Sequence, residues 1–550
     1  MSAINQRNSK VALILCGGDI NFSDLPIITN RSNAMIPVNG KPVIGWILDD
    51  LLQKGFQESV VVLRFDNTRL FNYVSWAFGQ KIQIHFAFVQ PGGTILHSLL
   101  AGLEMTDTNL GVHIVLGDTF IQDDLPAEPD FVHAGSFQNA EDWCLVETDY
   151  SGFAKSYYDK QQKSGEGWQA LAGVYSLSDV SLLKRTVMEQ LQAGGKEISS
   201  VLNAYGKVNP IAVKSTQHWY DFGHIHYFNL AKQKLLQSRY FNTLTIDPLR
   251  GTITKTSQKW EKLKDELNWY KTLPTSLKMF CPRLQESSAN GSISITQEYY
   301  GYPNLAELYV YGDLALTVWK HALQRLMDIH HLFCQEPGVV TTADMREMYD
   351  WKTRQRLHEL QAQEGWAERL EHESISINGI NHKNYKALEG EIKGLVDSLS
   401  KSCKGAIIHG DYCFSNILYD LNTQVVRLID PRGSFGSQKL YGDPRYDIAK
   451  LRHSVAGRYD FIVADLFKVE EDNGAYTFEV VTPEVFSKLT AFFDDLVVQY
   501  GYQPLEIRLI EGLLFISMVP LHRDNPKRQL AMYLTGIQLL NQVIKDAHSN

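Results

Sequence analysis

Short apolar runs alternate with amphipathic stretches in the first part of the chain. Val11–Leu15, Ser59–Leu63 and Val112–Leu116 are rich in aliphatic residues, which predicts buried strands. Val43–Lys54 and Thr94–Leu103, which lie between them, have the apolar spacing of helices. Strands and helices that alternate in this way predict a doubly wound α/β sheet, in which ligands bind over the carboxyl ends of the strands.

The pattern changes near residue 238. Phe241–Asp247 and Gly251–Thr256 alternate apolar and polar residues across Pro248-Leu249-Arg250, which predicts a β-hairpin. Longer amphipathic helices follow, and beyond Phe461 we expect the chain to be helical. The predicted domains are 1–237 and 238–550, the second with a small lobe at about 238–302 and a helical lobe at about 303–550.

Composition limits the kind of protein. Of the 550 residues, 44% are hydrophobic and 21% charged, as in a globular protein of two or three domains. The formal net charge is −9 without a dense Lys/Arg run, so we expect no nucleic-acid partner. The six cysteines lack metal-site spacing, and no apolar stretch reaches membrane-spanning length. We therefore expect a cytoplasmic protein that does not insert into membranes.

The strongest chemical motif is AIIHGDYCFSNILYDLNTQVVRLIDPRG, residues 406–433. It predicts a strand, a polar loop and a hairpin. Phosphoryl transfer requires a carboxylate that orients the attacking hydroxyl, and an amide and a second carboxylate that hold magnesium. Asp411 suits the catalytic role, and Asn416 and Asp430 suit the metal-binding roles. The alternative is a polar hairpin loop without a metal.

The spacing H-x-D-x-x-x-x-N followed by D-x-x-G resembles the aminoglycoside phosphotransferase and choline kinase family, whose members are relatives of protein kinases. The resemblance implies a bilobal α+β protein-kinase-like domain that uses ATP. It also implies a strand lysine on the phosphates and a helical glutamate that orients it, for which Lys255 and Glu266 are in the expected order. Glu298 falls in the segment that resembles the adenine-binding hinge, so all three are predicted to bind nucleotide.

The first domain carries a series of landmarks in order. They are Cys16–Gly18, Ala34–Pro42, Gln90–Leu103, Leu116–Asp118, Ala172–Leu177 and Trp219–Leu236. This series resembles the sugar-phosphate nucleotidyltransferases, the pyrophosphorylase family, across essentially the whole domain. The resemblance implies a Rossmann-like nucleotidyltransferase domain that binds a second nucleoside triphosphate together with Mg²⁺.

Site residues carry over from this resemblance position by position. The predicted nucleotide-binding residues are Gly17, Gly18, Gly93 and Thr94. Asp118 and Asp221 are predicted magnesium ligands, because two carboxylates can hold one ion between a triphosphate and the attacking phosphate. Asp159 and Lys160 are the predicted substrate-binding pair, for which a solvated surface pair is the alternative.

The first domain departs from the family at two cations. Ser23 and Asn33 stand where an arginine and a lysine usually contact the triphosphate. Loss of such charge costs several kcal/mol of transition-state stabilisation. Arg31 is a candidate substitute, and Lys41 remains as the predicted catalytic cation. A degenerate domain, retained for binding or regulation, is therefore the alternative to an active transferase.

A charged helix is predicted at Thr342–Glu364, ahead of the catalytic loop. Arg346, Tyr349, Lys352 and Arg356 share one face of it. A solvated face is one interpretation. If the face instead lines the acceptor pocket, its positive charge suits an anionic acceptor.

Three hypotheses of function remain. The first is a bifunctional enzyme that phosphorylates a sugar, polyol or amino alcohol and then transfers a nucleotidyl group to that phosphate, for surface-polysaccharide or related precursors. The second is a small-molecule kinase with a silent first domain, and the third is a scaffold with both sites inactive. The expected partners are the small-molecule acceptor and nucleotides, and the sequence leaves a homo-oligomer open.

Overall fold

The structure is a computed structural model that describes residues 10–18, 32–107, 109–137, 139–160, 167–235, 242–257, 260–287 and 294–549. The chain divides into two compact units. The first is Met1–Leu236 with Tyr311–Asp313, and the second is Gln237–Val310 with Leu314–Asn550. The division lies one residue from the boundary predicted between residues 237 and 238.

The first unit contains a large mixed sheet. Its strands, with two short two-stranded ribbons, are β1 (Lys10–Cys16), β2 (Pro37–Val38), β3 (Lys41–Pro42), β4 (Glu58–Arg64), β5 (Gln83–Val89), β6 (Gly111–Leu116), β7 (Thr119–Ile121), β8 (Phe131–Gly135), β9 (Cys144–Thr148), β10 (Ala154–Asp159), β11 (Trp168–Leu177), β12 (Ala212–Ser215) and β13 (Trp219–Asp221). The strand order is β10-β9-β11-β6-β1-β4-β5, with β8 on β11 and β12 on β8. The centre of the sheet, β5-β4-β1-β6, is parallel, and β11 pairs with β6 antiparallel.

Helices connect the parallel strands. They are α1 (Val43–Gln53), α2 (Thr68–Phe78), α3 (Ile95–Glu104), α4 (Val180–Gln192), α5 (Ile198–Tyr205) and α6 (Ile225–Lys234). Leu13, Val62 and Leu99 belong to a core that is closed to solvent and joins the parallel strands to α3. The strands and helices predicted for this region are confirmed, and the sheet is mixed because β8–β11 add antiparallel strands to the parallel centre.

The second unit begins with a four-stranded antiparallel sheet and continues as a mainly helical region. Its strands are β14 (Asn242–Asp247), β15 (Thr252–Ser257), β16 (Leu284–Ser287), β17 (Ser294–Glu298), β18 (Pro337–Gly338), β19 (Ser374–Ile377), β20 (Ile380–Lys383), β21 (Gly405–Ile407), β22 (Ile417–Tyr419), β23 (Val426–Leu428), β24 (Tyr441–Gly442), β25 (Phe467–Asp472) and β26 (Ala475–Val480). The first sheet has the order β14-β15-β17-β16. The predicted hairpin is β14–β15, in which Leu244 pairs with Lys255.

The helices of the second unit include one interrupted segment. They are α7 (Trp260–Thr272), α8 (Thr275–Lys278), α9 (Leu305–Tyr311), α10 (Leu316–Cys334), α11 (Thr342–Arg346), α12 (Lys352–Gln361), α13 (Trp366–Glu371), α14 (Tyr385–Lys401), α15 (Pro444–Val455), α16 (Tyr459–Val463), α17 (Phe486–Gln499), α18 (Pro504–Met518) and α19 (Pro526–Ser549). A π-helical turn, Glu347–Trp351, joins α11 to α12 within the predicted helix Thr342–Glu364. Such turns are rare and occur frequently at functional sites.

The prediction that the chain is helical beyond Phe461 is wrong at residues 467–480. Strands β25 and β26 form a hairpin there, with six residue pairs from Phe467↔Val480 to Asp472↔Ala475. Asn473 and Gly474 form its turn with φ of 48° and 78°. An Asn-Gly pair between alternating residues is a strong hairpin signal, because both positions of a type I′ turn need positive φ.

Two further findings concern the whole chain. All six cysteines are free. Within the described ranges, no helix is both long enough and apolar enough to cross a membrane.

Candidate functional sites

The first unit has a cavity of about 170 Å³ at the carboxyl ends of β1 and β6. It is lined by Leu15, Cys16, Gly17, Gly18, Ser32, Asn33, Ala34, Gly93, Thr94, Ile95, Ser98, Leu116, Gly117 and Asp118. The cavity brings together the four predicted nucleotide-binding residues and one of the two predicted magnesium ligands. It opens where ligands bind in sheets of this kind.

Glycine is required at Gly17 by close packing. A Cβ there would lie 2.6 Å from Ser98 Oγ and 2.9 Å from Val89 Cγ2. The backbone after β1 therefore passes directly against α3. Thr94 caps this helix, and its N–H donates to His97 Nδ1 at 3.1 Å. The helix N-terminus carries partial positive charge, which favours an anionic group in the cavity.

Asp118 and Asp221 converge on one point. Asp118 follows β6, Asp221 ends β13, and the pairing of Asp221 with Thr119 in β7 places the two carboxylates side by side. A Cβ on Gly223 would lie 2.9 Å from Asp118 Oδ2 and 3.7 Å from Asp221 Oδ1. Burial raises the pKa of Asp118, and the nearby Asp221 carboxylate raises it further. Two carboxylates that repel each other in this way are typical of a cation site.

The hydrogen bonds around this pair hold it in place. Asn33 donates its side-chain N–H to Asp118 Oδ2 at 3.3 Å. Asp221 Oδ2 accepts from the backbone N–H of His224 at 3.1 Å and from its ring at 2.9 Å. The bond to Asp221 raises the pKa of His224. Asn33, the residue that replaces the usual lysine, thus contacts the predicted metal site.

The pair fits Mg²⁺ with an incomplete protein shell. The space beside Gly223 is open to both carboxylates because this residue has no side chain. Among the described residues, no group of three or more His, Cys, Asp or Glu side chains could hold a metal ion. Mg²⁺ usually takes one or two carboxylates and completes its octahedron with water and substrate phosphates. Asp118 and Asp221 match that pattern.

The other predicted residues of the first unit lie away from the cavity. Lys41 forms an ion pair with Asp49, and its ammonium is 4.0 Å from the centroid of the Trp46 ring. Asp159 accepts a hydrogen bond from Ser199. Lys160 has a φ of 44°, and its N–H donates to Trp143 O at 3.0 Å. Lys41, Asp159 and Lys160 do not line the cavity, so their assigned roles stay predictions without geometric support.

Ser23 and Arg31, two positions considered for contact with the triphosphate, lie outside the described residues. Asn33 is the part of that departure that the structure describes.

In the second unit, one lysine joins two carboxylates that are far apart in sequence. Lys255 Nζ lies 2.8 Å from Glu266 Oε2 and 2.9 Å from Asp430 Oδ1. Burial lowers the pKa of Lys255, but Asp430 and Glu266 outweigh that effect and raise it overall. Burial raises the pKa of Glu266 to about 7. The lysine is therefore a firmly charged donor between β15, α7 and the segment after β23.

The loop after β21 carries the second group. Asn416 Nδ2 donates to Asp411 Oδ2 at 2.8 Å and to Asp411 O at 3.0 Å. Ile429 N–H donates to Asn416 O at 3.0 Å, which places Asp430 beside Asn416. Asp430 has a φ of 55°. A left-handed aspartate is strained, and such strain is concentrated at functional sites.

Asp447 braces this loop from α15. Its Oδ2 accepts from His409 N–H at 2.7 Å and its Oδ1 from Gly410 N–H at 2.8 Å. Lys450, one turn further along α15, lies 2.8 Å from Asp411 Oδ1. Burial raises the pKa of Asp411, but the charge of Lys450 outweighs it and holds the pKa well below its usual range. Asp411 is therefore a fixed carboxylate aimed by two neighbours.

Glu298 is engaged within its own sheet. Its carboxylate accepts from Tyr300 O–H at 2.8 Å and from Arg283 N–H at 3.2 Å, and its own N–H donates to Arg283 O at 3.1 Å. The structure thus brings Lys255, Glu266, Asp411, Asn416 and Asp430 together and leaves nucleotide binding by Glu298 a prediction.

Two contributors were missed from the sequence. Gly223 shapes the first site, and Lys450 aims Asp411. The signal for Lys450 was its position three residues after Asp447, which puts both side chains on one face of α15. No local signal marked Gly223, because its role depends on the approach of Asp118.

No protein-family profile matches the chain, and no curated protein matches it. Solved structures match part of it: a UDP-glucose pyrophosphorylase complexed with UDP-glucose (16% identity, TM-score 0.37, 42% of this chain and 99% of that one) and HddC from Yersinia pseudotuberculosis (13%, 0.32, 41% and 98%). A nucleoside-diphosphate-sugar pyrophosphorylase from Vibrio cholerae RC9 matches at 11% identity with a TM-score of 0.33 over 40% of this chain and 99% of that one. At these values the likeness assigns neither activity nor substrate. A proposal for either has to rest on the geometry of this chain's own residues.

Proposed function

We propose that the chain is a bifunctional enzyme. The second unit transfers the γ-phosphoryl group of ATP to a small hydroxylated acceptor, and the first unit transfers a nucleotidyl group to the resulting phosphate. The observation that carries the proposal is the Lys255 ammonium, bonded to Glu266 and to Asp430 from 175 residues away. A strand lysine fixed by a helical glutamate, beside an aspartate that can hold metal, is the arrangement of protein-kinase-like phosphotransferases.

The phosphoryl step follows from the positions of these groups. Asp411 orients the acceptor hydroxyl, whose oxygen forms a bond to the γ-phosphorus as the bond to the bridging oxygen breaks. ADP leaves, and the hydroxyl proton passes to Asp411. Lys255 binds the phosphates of ATP, and Asn416 with Asp430 would hold Mg²⁺. When bound, that ion neutralises charge on the β- and γ-phosphate oxygens.

The nucleotidyl step belongs to the first cavity. Gly17, Gly18 and the start of α3 offer backbone donors to a triphosphate, and Asp118 with Asp221 would hold Mg²⁺ beside it. The phosphate of the acceptor would attack the α-phosphorus, and pyrophosphate would leave. The phosphomonoester that a kinase makes is the substrate that such a transferase consumes. The two reactions can therefore be consecutive steps of one pathway, such as the synthesis of surface-polysaccharide precursors.

One observation favours a second candidate, a kinase whose first unit only binds. Within the described part of the chain, no lysine or arginine lines the cavity, since Asn33 replaces one cation and Lys41 is paired with Asp49. A triphosphate would therefore meet fewer positive charges than a transferase usually provides.

The two candidates differ in their products. The full chain is incubated with Mg²⁺, ATP, a second nucleoside triphosphate and pooled sugars, polyols and amino alcohols, and ADP and pyrophosphate are both measured. Bifunctionality predicts that Asp411→Asn abolishes both products and that Asp118→Asn abolishes pyrophosphate alone. The exposed Asp495→Asn and Asp124→Asn serve as matched controls and should change neither. Release of ADP without release of pyrophosphate, whichever second nucleoside triphosphate is supplied, would support the second candidate, a kinase whose first unit only binds.

A further inference from the structure

Two lysines and two arginines lie on three segments of the second unit, and one of them, Lys450, contacts Asp411. Lys352 and Arg356 lie on α12, Arg432 follows Asp430, and Lys450 lies on α15; we call them the acceptor-side cluster. Arg432 N–H donates to His409 O at 2.9 Å, and a Cβ on Gly410 would lie 2.8 Å from Arg432 Cβ. The Arg432 side chain therefore starts directly over the Asp411 loop, while Lys450 contacts Asp411 itself.

Lys352 is the member without a counter-charge. It opens α12 immediately after the π-helical turn, in which Tyr349 O–H donates to Asp443 Oδ2 at 2.9 Å. The Tyr349 ring lies 6.2 Å from that of Tyr446, and Arg432 Nη1–H donates to the hydroxyl oxygen of Tyr446 at 3.2 Å. These contacts attach the start of α12 to the elements that carry Arg432 and Lys450. Within the described ranges, the Lys352 ammonium has no hydrogen-bond or ion-pair partner, whereas its backbone N–H donates to Glu347 O.

The charges around Lys352 are mostly of its own sign. Burial lowers its pKa well below the usual value, and Arg432, Lys450 and Arg356 lower it further, while Asp411 acts in the opposite direction. Asp411 already forms an ion pair with Lys450, and Glu359 Oε2 forms one with Arg356 Nη1 at 2.8 Å. A partly buried cation among cations is costly unless an anion compensates it. The surplus of positive charge therefore marks an anion site that the chain itself does not fill.

The position of this site separates it from the nucleotide. Lys255 and Asp430 form the phosphate-binding side, whereas the acceptor-side cluster reaches Asp411, the carboxylate proposed to face the attacking hydroxyl, through Lys450. A permanent negative charge bound there must come from the acceptor. A cationic amino alcohol would instead be repelled.

We propose that the acceptor is an anionic polyhydroxylated molecule, a sugar or polyol that carries a phosphate or carboxylate besides the hydroxyl that reacts. Lys352 binds that anionic group together with Arg432. This inference rests on the proposed phosphotransferase function and names its substrate class. The reaction is unchanged: the acceptor oxygen gains the γ-phosphoryl group, ADP leaves, and the hydroxyl proton goes to Asp411.

The test compares acceptor pools and two neighbouring variants. Neutral sugars and polyols, their monophosphates, the corresponding sugar acids, and amino alcohols are each offered with ATP to the full chain. We expect ADP-coupled transfer in an anionic pool, and the pool that reacts separates phosphate from carboxylate. Lys352→Met should raise the KM of that acceptor at least tenfold with the KM for ATP unchanged. Arg354→Gln removes a like charge from the same helix, where it pairs with Asp350 and Glu389, and should leave both values unchanged.

A binding measurement separates this inference from the proposed function. With ADP present, inorganic phosphate should raise the Tm of the wild type and of Arg354→Gln but not of Lys352→Met. Without ligand, Lys352→Met should melt higher than the wild type, because it removes an uncompensated charge. Transfer to neutral or amino-alcohol pools with no effect of Lys352→Met would overturn the inference and leave the phosphotransferase intact. Phosphate stabilisation that depends on Lys352, with no transfer in any pool, would support the anion site and overturn the proposed function.

Discussion

Gly223 offers a direct test of the nucleotidyl site, because one added carbon would occupy the point on which both carboxylates converge. In Gly223→Ala the Cβ would lie 2.9 Å from Asp118 Oδ2 and 3.7 Å from Asp221 Oδ1. Mg²⁺ binds oxygen at about 2.0–2.1 Å, so a methyl group there competes with the ion and its water ligands. Gly223 lacks a positive φ, and the nearest atom belongs to the Asp118 side chain and not to the backbone, so the fold should tolerate the change.

The expected effect is large on chemistry and small on stability. A displacement of a few tenths of an ångström at both ligands should weaken Mg²⁺ binding about tenfold, or about 1.4 kcal/mol. Pyrophosphate release should fall about a hundredfold, which corresponds to about 2.7 kcal/mol. Titration of pyrophosphate release with Mg²⁺ measures both, and ADP release by the second unit of the same molecule is the internal control. Unchanged Mg²⁺ dependence with full pyrophosphate release would refute a metal site between Asp118 and Asp221.

Three further predictions concern the second unit. Glu266→Gln leaves Lys255 with Asp430 alone, and we expect kcat for ADP release to fall about ten- to a hundredfold with little change in Tm; wild-type kcat would contradict the role of Glu266. Asp447→Asn keeps one of two acceptors for the His409 and Gly410 N–H groups and should cost about 1–3 kcal/mol of unfolding free energy in urea, together with activity; an unchanged urea midpoint would show that the brace is dispensable. His453 is closed to solvent between Tyr459 and Phe515, and burial lowers its pKa well below 6.5. The unfolded chain therefore takes up a proton below pH 6.5 that the folded chain does not, so stability falls with decreasing pH, and His453→Phe should gain about 2 kcal/mol over the wild type between pH 7 and pH 5. Equal differences in urea stability at both pH values would contradict this assignment.

The strands and helices of the first unit were predictable because their signals are local. The apolar run Val11–Leu15 and the glycines after it identify a buried strand and its turn from adjacent residues alone. The metal pair was less accessible, since Asp118 and Asp221 meet only through the pairing of β7 with β13. The sequence resemblance placed both residues in one site, and the residue that leaves room between them, Gly223, escaped notice. The role of Lys41 stays a prediction: the sequence could not show that its ammonium pairs with Asp49.

The second unit shows where sequence reasoning stops for physical reasons. The sequence shows one chain order, and the side chains lie together in the structure: Lys255, Glu266, Asp411, Asn416 and Asp430. The sequence could not show the sign of the charge around Asp411, because Lys352, Arg432 and Lys450 come from three separate segments. Helical spacing alone left two interpretations of Lys352, a solvated face or a pocket wall. The proposed pocket wall depends on the contacts of the preceding turn with Asp443 and Tyr446, which only the three-dimensional arrangement shows.

The two candidate sites differ in the charge that they present to a nucleotide. This difference predicts that the two proposed activities depend on Mg²⁺ to different extents. In the first unit Asp118 lines the cavity together with the N-terminus of α3, Asp221 lies beside Asp118, and no described lining residue is a lysine or arginine. The carboxylates make the electrostatic potential at this site negative, and a triphosphate can bind only if Mg²⁺ makes it positive. Nucleotide binding by the first unit should therefore be strictly metal-dependent. In the second unit Lys255 supplies a protein cation beside Asp430, and the acceptor-side cluster supplies more. Under the proposed function we therefore expect nucleotide and acceptor to bind there before the metal does. Chelation should abolish nucleotide binding at the first site and only weaken it at the second.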